Sequence, residues 1–295
     1  MAEQFSDWFF SFNMRTLLLI FFLLPGLNTQ VFAQYSVAAS IRPLQLIAAA
    51  ITEEISQPQL VMDGSQDPHH PSLRPSQRRA MNQADIFLWI GPQLETGMEP
   101  IIGELDAQIL TVIKLVGLTL YPLNAGIDPH IWLDTNNAGI IADALAANLI
   151  ELDRDNETRY LQNLARFREG LKKLEKELGK ILDPDSFPAF AVYHNGYQYF
   201  EKQLGFSHLT SFTDNEEVQP GIRRVMEIKS VLDASNVNCI VVDPSVNSGN
   251  LHNQLERDSL RYISVDVLAH DIPLAADGYF QFMQKLAASF ASCRD

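Results

Sequence analysis

Short runs of β-branched and aromatic residues alternate along this chain with longer stretches whose apolar positions recur every three or four residues. The first kind of run suits buried strands and the second suits amphipathic helices. In the first half, strands are predicted over 35–40, 59–63, 85–91 and 109–113. A helix begun by Pro43 is predicted over 43–55, and Pro75-Ser76 opens another. Proline marks such starts because the first turn has no use for its missing N–H. The second half repeats the order, with strands over 189–193, 208–212, 238–243 and 262–266. Its helices are predicted over 196–205, capped by Gly205, over 220–232 and over 277–293. Strands separated by helices at this spacing make βαβ units and therefore parallel sheets.

A different pattern separates the halves. Tyr160, Leu164, Phe167, Leu171, Leu174, Leu178 and Ile181 follow steps of four and three, which puts them on one stripe of a single helix. Asp153, Asp155 or Asn156 is expected to cap its start, and Asp183-Pro184 to end it. The predicted fold class is α/β: two lobes, 34–152 and 183–295, each a mostly parallel sheet flanked by helices, joined by one long rigid helix over 153–182. A stiff connector limits motion between lobes more than a Gly/Ser hinge would. In open α/β sheets ligands bind beyond the carboxyl ends of the strands, so the cleft between the lobes is the expected site.

Composition narrows the setting. Hydrophobic residues make up 46% and charged residues 20%, too apolar for a disordered chain. The formal charge of −14 argues against nucleic acid, whose binders need a basic face. Near the start, Arg15 precedes an apolar run over 17–24, followed by Pro25-Gly26 and then Val31-Phe32-Ala33. This reads as a secretory signal peptide over 1–33, cleaved after Ala33. The run is too short to span a bilayer, and no cysteine follows it to carry a lipid. Residues 1–13 hold Glu3 and Asp7 and no base, unlike a signal sequence, so Met14 is an alternative start. In an exported chain the two cysteines, Cys239 and Cys293, read as one disulfide; two buried thiols are the alternative.

Four residues fall where a cleft ligand would be met. His69, beside His70 in "QDPHHPS", lies in a proline-bounded loop after the second predicted strand. His130, in "DPHIWLD", precedes an expected Asn-capped helix; His194 directly follows a strand; Asp266 ends another. Three imidazoles and a carboxylate make a four-coordinate set suited to Zn²⁺. His208 and His252 fall away from the cleft. His270 lies close to Asp266 and is a candidate auxiliary residue, as is His70.

The segments "SIRPLQLIAAAI", "DPHHPSLRPSQ", "ADIFLWIGPQLE", "DPHIWLD", "VYHNGYQYFEKQLGF" and "EVQPGIRRVMEIK" occur in this order. Together they resemble the periplasmic metal-binding components of bacterial zinc and manganese ABC importers, the zinc type above all. The resemblance covers nearly all of the chain after the signal. It implies two lobes joined by one helix, and Zn²⁺ as the transported ligand. It also implies a membrane permease as partner, a periplasmic location, a monomer, and no catalysis. The family's first ligand is followed six and seven positions later by Pro-Ser, which selects His69 over His70. Its other ligands correspond to His130, His194 and Asp266, and a disulfide like Cys239–Cys293 is frequent in zinc-type members.

Two departures stand out. The loop before the second ligand has no histidine, where zinc-type members often carry a His- and Asp-rich insertion. The fourth-ligand turn reads Asp266-Val267-Leu268-Ala269 instead of Asp-Pro-Leu-Gly. Three neutral imidazoles favour Zn²⁺ over Mn²⁺, which prefers oxygen donors. The alternatives are a manganese or iron importer component and an exported zinc hydrolase. The latter lacks an H-E-x-x-H helix and a G-x-S-x-G elbow.

Overall fold

The computed structural model describes residues 35–64, 66–124, 126–214 and 220–294; the expected signal segment lies outside the described residues. In the first half the elements are β1 (Val37–Ala39), α1 (Arg42–Ile51), β2 (Gln59–Leu60), α2 (Pro75–Asn82), β3 (Ile86–Trp89), α3 (Glu99–Ile102) and β4 (Gln108–Thr111). A small hairpin, β5 (Pro122–Leu123) and β6 (Gly126–Ile127), leads to α4 (Thr135–Leu152) and α5 (Glu157–Ile181). Then come β7 (Ala191–His194), α6 (Gln198–Leu204), β8 (Thr210–Thr213), α7 (Ile222–Ala234), β9 (Cys239–Val242), α8 (Ser248–Leu255), β10 (Arg261–Ser264) and α9 (Gly278–Ala291).

The strands form two four-stranded parallel sheets, ordered β2-β1-β3-β4 and β10-β9-β7-β8. Every residue of β3 and β9 is buried, as expected when helices cover both faces of a parallel sheet. The order reverses between β1 and β3 in one sheet, and between β7 and β9 in the other. Such reversals open a crevice at the strands' carboxyl ends.

Helix α5 is 25 residues long, roughly 38 Å at 1.5 Å per residue. Tyr160, Phe167, Leu171, Leu174 and Leu178 are buried along it, which is the stripe read from the sequence, while Leu164 and Ile181 are half-buried. It packs on α1, α4 and α9. The α9 contact needs Gly170, where a Cβ would fall inside the Phe280 ring. Phe280 also stacks on Phe167 at 5.3 Å between centroids. Because α9 packs on α1 as well, the last helix of the chain shares a core with the first. Of the three residues expected to cap it, Asn156 is the N-cap of α5, while Asp153 accepts from Tyr160 Oη at 2.9 Å.

The Cys239–Cys293 disulfide ties the start of β9 to the end of α9. Closing a loop of 54 residues stabilises the fold by about 4 kcal/mol through the unfolded chain's lost entropy.

Several boundaries differ from the sequence reading in ways that matter for the site. His194 is the last residue of β7 and does not follow it. Asp266 lies two residues beyond β10, in a loop. Helix α4 is capped by Asp134, whose carboxylate accepts from Asn137 N at 2.9 Å, and not by asparagine. Helix α1 ends at Ile51, where the Thr52 hydroxyl bonds back to Ala48 O and turns the chain.

Candidate metal centre

His69 and His130 are delivered by the same local device. In each Asp-Pro-His tripeptide the aspartate accepts from the histidine N–H two residues on, at 2.9 Å for Asp67 and 3.0 Å for Asp128. This is an Asx turn, and proline in the middle fixes one backbone angle in advance. His194 needs no turn, since the end of β7 holds it rigidly.

The three rings converge. Centroids of His130 and His194 lie 4.9 Å apart, and His69 is 5.7 and 5.9 Å from them. One ring nitrogen from each lies within 4.8 Å of the others. Zn–N bonds of about 2.0–2.1 Å place tetrahedral nitrogens roughly 3.3 Å apart, so small ring rotations close the set on an ion. His130 and His194 are buried and His69 is half-buried. Gly196 leaves the adjoining wall bare: a Cβ there would stand 2.9 Å from His194 Nδ1 and 3.0 Å from His130 Nε2.

A carboxylate stands behind each buried ring. Asp128 Oδ1 lies 2.7 Å from His130 Nδ1, which fixes that nitrogen as a donor and leaves Nε2 for a ligand. Asp128 is in turn held from α6, where Gln198 Nε2 donates to Oδ2 at 3.2 Å and Tyr199 Oη to the main-chain carbonyl at 2.8 Å. Asp243, just past β9, has Oδ1 4.0 Å from His194 Nδ1 and accepts from Tyr197 Oη at 3.1 Å.

The electrostatics favour neutral imidazoles at His69 and His194. Burial, then the neighbouring His130 and His194, push His69 down to about 3. Burial lowers His194 as well. Burial raises the Asp128 carboxyl, but the charge and hydrogen bonds of His130 outweigh it and the net direction is down. Unprotonated rings offer lone pairs without first releasing protons, which suits a metal ligand.

Asp266 is placed apart from the three rings. Its Oδ1 accepts from Leu268 N at 2.9 Å and its Oδ2 from His270 N at 2.6 Å, while His270 Nδ1 lies 3.2 Å from Oδ1. Asp266, His270, Asp67 and Asp243 line an open cleft of about 550 Å³ beside the imidazoles. His70 is exposed, and His208 pairs with Glu201 at 2.8 Å, outside the cluster.

The family of proteins described as zinc-uptake complex component A, periplasmic (ZnuA), matches residues 37–293. The chain belongs to this family. The high-affinity zinc uptake system protein ZnuA of Yersinia pestis is 28% identical over 293 residues, covering 88% of this chain and 92% of the relative. A crystal structure of ZnuA superposes with a TM-score of 0.78 at 22% identity, over 88% of this chain and 99% of that one. The periplasmic zinc-binding protein TroA from Treponema pallidum gives 0.76 at 18% identity, over 88% and 99%. These structures share the fold of two parallel sheets flanked by helices.

The sequence reading did not single out Asp128, Asp243 or Gly196. Asp128 was within reach, because the Asp-Pro-His tripeptide occurs twice and turn chemistry predicts an aspartate bonding the N–H two residues on. Asp243 and Gly196 become neighbours of the rings only through tertiary folding.

Proposed function

We propose that this chain captures Zn²⁺ in the periplasm and delivers it to the membrane permease of an ABC importer. His69, His130 and His194 supply three donors. Asp266 from the cleft wall completes the four-coordinate set once its loop turns inward. The observation that carries this reading is the convergence of three imidazole nitrogens within 4.8 Å. Family membership supports zinc as cargo, and a nitrogen-rich donor set favours it over manganese. Residues 1–33 act as the export signal, and the chain from Gln34 works as a monomeric binding protein without catalytic turnover. Ligands drawn from both halves of the chain let an ion order the cleft. Docking on the permease then withdraws one half's ligands.

The test uses the chain from residue 34, stripped of metal and titrated with Zn²⁺ and Mn²⁺ against a chelator. Zinc should bind far more tightly than manganese, and His130→Ala should abolish the tight phase. Zinc affinity unchanged by that substitution would remove these residues from the site.

A further inference from the structure

The segment that follows Asp266 is fastened on both sides and strained in the middle. Upstream, Trp132 Nε1 donates to Val267 O at 2.9 Å. Downstream, Arg42 Nη2 donates to Ile272 O at 2.6 Å. Between these pins, Ala269 is buried with φ of +55°, in the left-handed region that non-glycine residues seldom occupy. Strain of this kind persists where the surroundings hold it, often beside a functional group.

His270 is the residue next to that strain. Its main-chain N–H and its ring together engage both oxygens of Asp266. The other side of the ring lies on bare backbone: a Cβ at Gly64 would stand 2.6 Å from its Cδ2 and 2.9 Å from its Cγ. Gly64 belongs to the loop that runs from β2 to His69. One imidazole thus touches the carboxylate expected from one half and the ligand loop of the other. It also forms part of the wall of the 550 Å³ cleft and of a neighbouring cavity of about 200 Å³.

We propose that His270 is a latch that holds the Asp266 carboxylate turned into its own loop, away from the three imidazoles. On this view Asp266 reaches a bound ion only when the ring lets go of it. The latch therefore speeds release by opposing closure of the fourth position. Resting on the Gly64 backbone, the ring couples that step to the position of the His69 loop. This inference rests on the proposed function, since it concerns the fourth ligand of that same centre. His270 is a positioning residue and makes no contact with the ion.

The test is a double-mutant cycle read by zinc dissociation into excess chelator. His270→Phe keeps a flat ring against Gly64 and removes the nitrogen facing Asp266. It should slow Zn²⁺ dissociation about tenfold in the otherwise unsubstituted chain and leave the rate unchanged when Asp266→Asn is also present. Thermal unfolding of each variant confirms that it is folded, and His270→Leu, which also lacks a side-chain donor to Asp266, serves if the phenylalanine variant is not. An equal effect in both backgrounds, or none in either, overturns the latch while leaving the three-histidine site standing. Absence of zinc binding by the unsubstituted chain would remove the proposed function and the latch together.

Discussion

Asp128 Oδ1 holds His130 twice, through the main-chain N–H at 3.0 Å and through ring Nδ1 at 2.7 Å. One oxygen therefore sets both the turn that delivers the ring and the nitrogen left free to bind. Asp128→Asn presents an amide where a strong acceptor stood, so the ring loses its fixed tautomer and orientation. Loss of such outer-shell partners lowers metal affinity by roughly 10–100-fold. Competition titration should show this weakening for zinc with the folded structure retained. An affinity within twofold of the unsubstituted chain would remove Asp128 from the site's support.

The imidazoles make the metal-free protein sensitive to acid, and Glu95 works against them. His69 is pushed down to about 3 from an ordinary 6.5, and His194 is lowered too, so below pH 6.5 the unfolded chain binds these protons first. Their contribution is complete above pH 6.5 and is lost as pH falls below it, for His69 down to about 3. Glu95 has the opposite sign. Fully buried at the ends of β1 and β3, it accepts from Ser40 Oγ, from Ile90 N at 3.2 Å and from Gly91 N at 2.9 Å, and burial lifts it to about 7. The folded state then takes up that proton first, which stabilises it as pH falls from 7 toward 4.5. The downward shift at His69, reinforced by that at His194, outweighs the upward shift at Glu95, so the net effect of falling pH is a loss of stability. Chelator-treated protein should melt at a lower temperature at pH 5 than at pH 6.5. Glu95→Gln should steepen that fall, and a shallower fall in the variant would contradict this account.

Ala269 offers a stability test that is separate from binding. Its φ of +55° is one that glycine adopts freely and alanine does not. Ala269→Gly should relieve strain of about 1 kcal/mol, less the entropy glycine adds to the unfolded chain. Melting temperature should rise by a degree or more. A fall would mean that packing of the buried methyl group outweighs the backbone strain.

Much of the architecture was legible because parallel sheets and a long amphipathic helix leave strong periodic signals. The α5 stripe from Tyr160 to Leu178 and the runs that became β3 and β9 are of this kind. Strand β2 covers only two residues of the predicted 59–63, although backbone bonds continue from Val61 N to Ala39 O and from Met62 N to Ser40 O. His194 was legible because it ends a strand, and His69 and His130 because each closes an Asp-Pro-His tripeptide in a loop on the expected cleft. Asp266 also lies close to a strand end, but its side chain answers to local turn bonds with Leu268 and His270 that no periodicity reports. Nor does sequence spacing show that Gln198 and Tyr199, on the helix after His194, would hold the aspartate behind His130.

The adjacent pair His69-His70 can be separated by the same geometry. His69 follows an Asx turn at Asp67 and points into the cluster, with centroids 5.7 and 5.9 Å from the other two rings. His70 comes one residue later, is exposed, and does not belong to the group of converging nitrogens. A ligand supplies a metal bond directly, so its removal should exceed the roughly 10–100-fold loss typical of outer-shell residues. His69→Ala should therefore lose more than 100-fold in zinc affinity, and His70→Ala should stay within about twofold. Neither variant should lower the melting temperature of the metal-free protein. Below pH 6.5 His69→Ala should make the acid-induced fall in melting temperature shallower, because it removes a buried base that the unfolded chain protonates more readily. Equal losses of affinity in the two variants would mean that the loop rearranges on binding and that both imidazoles reach the ion.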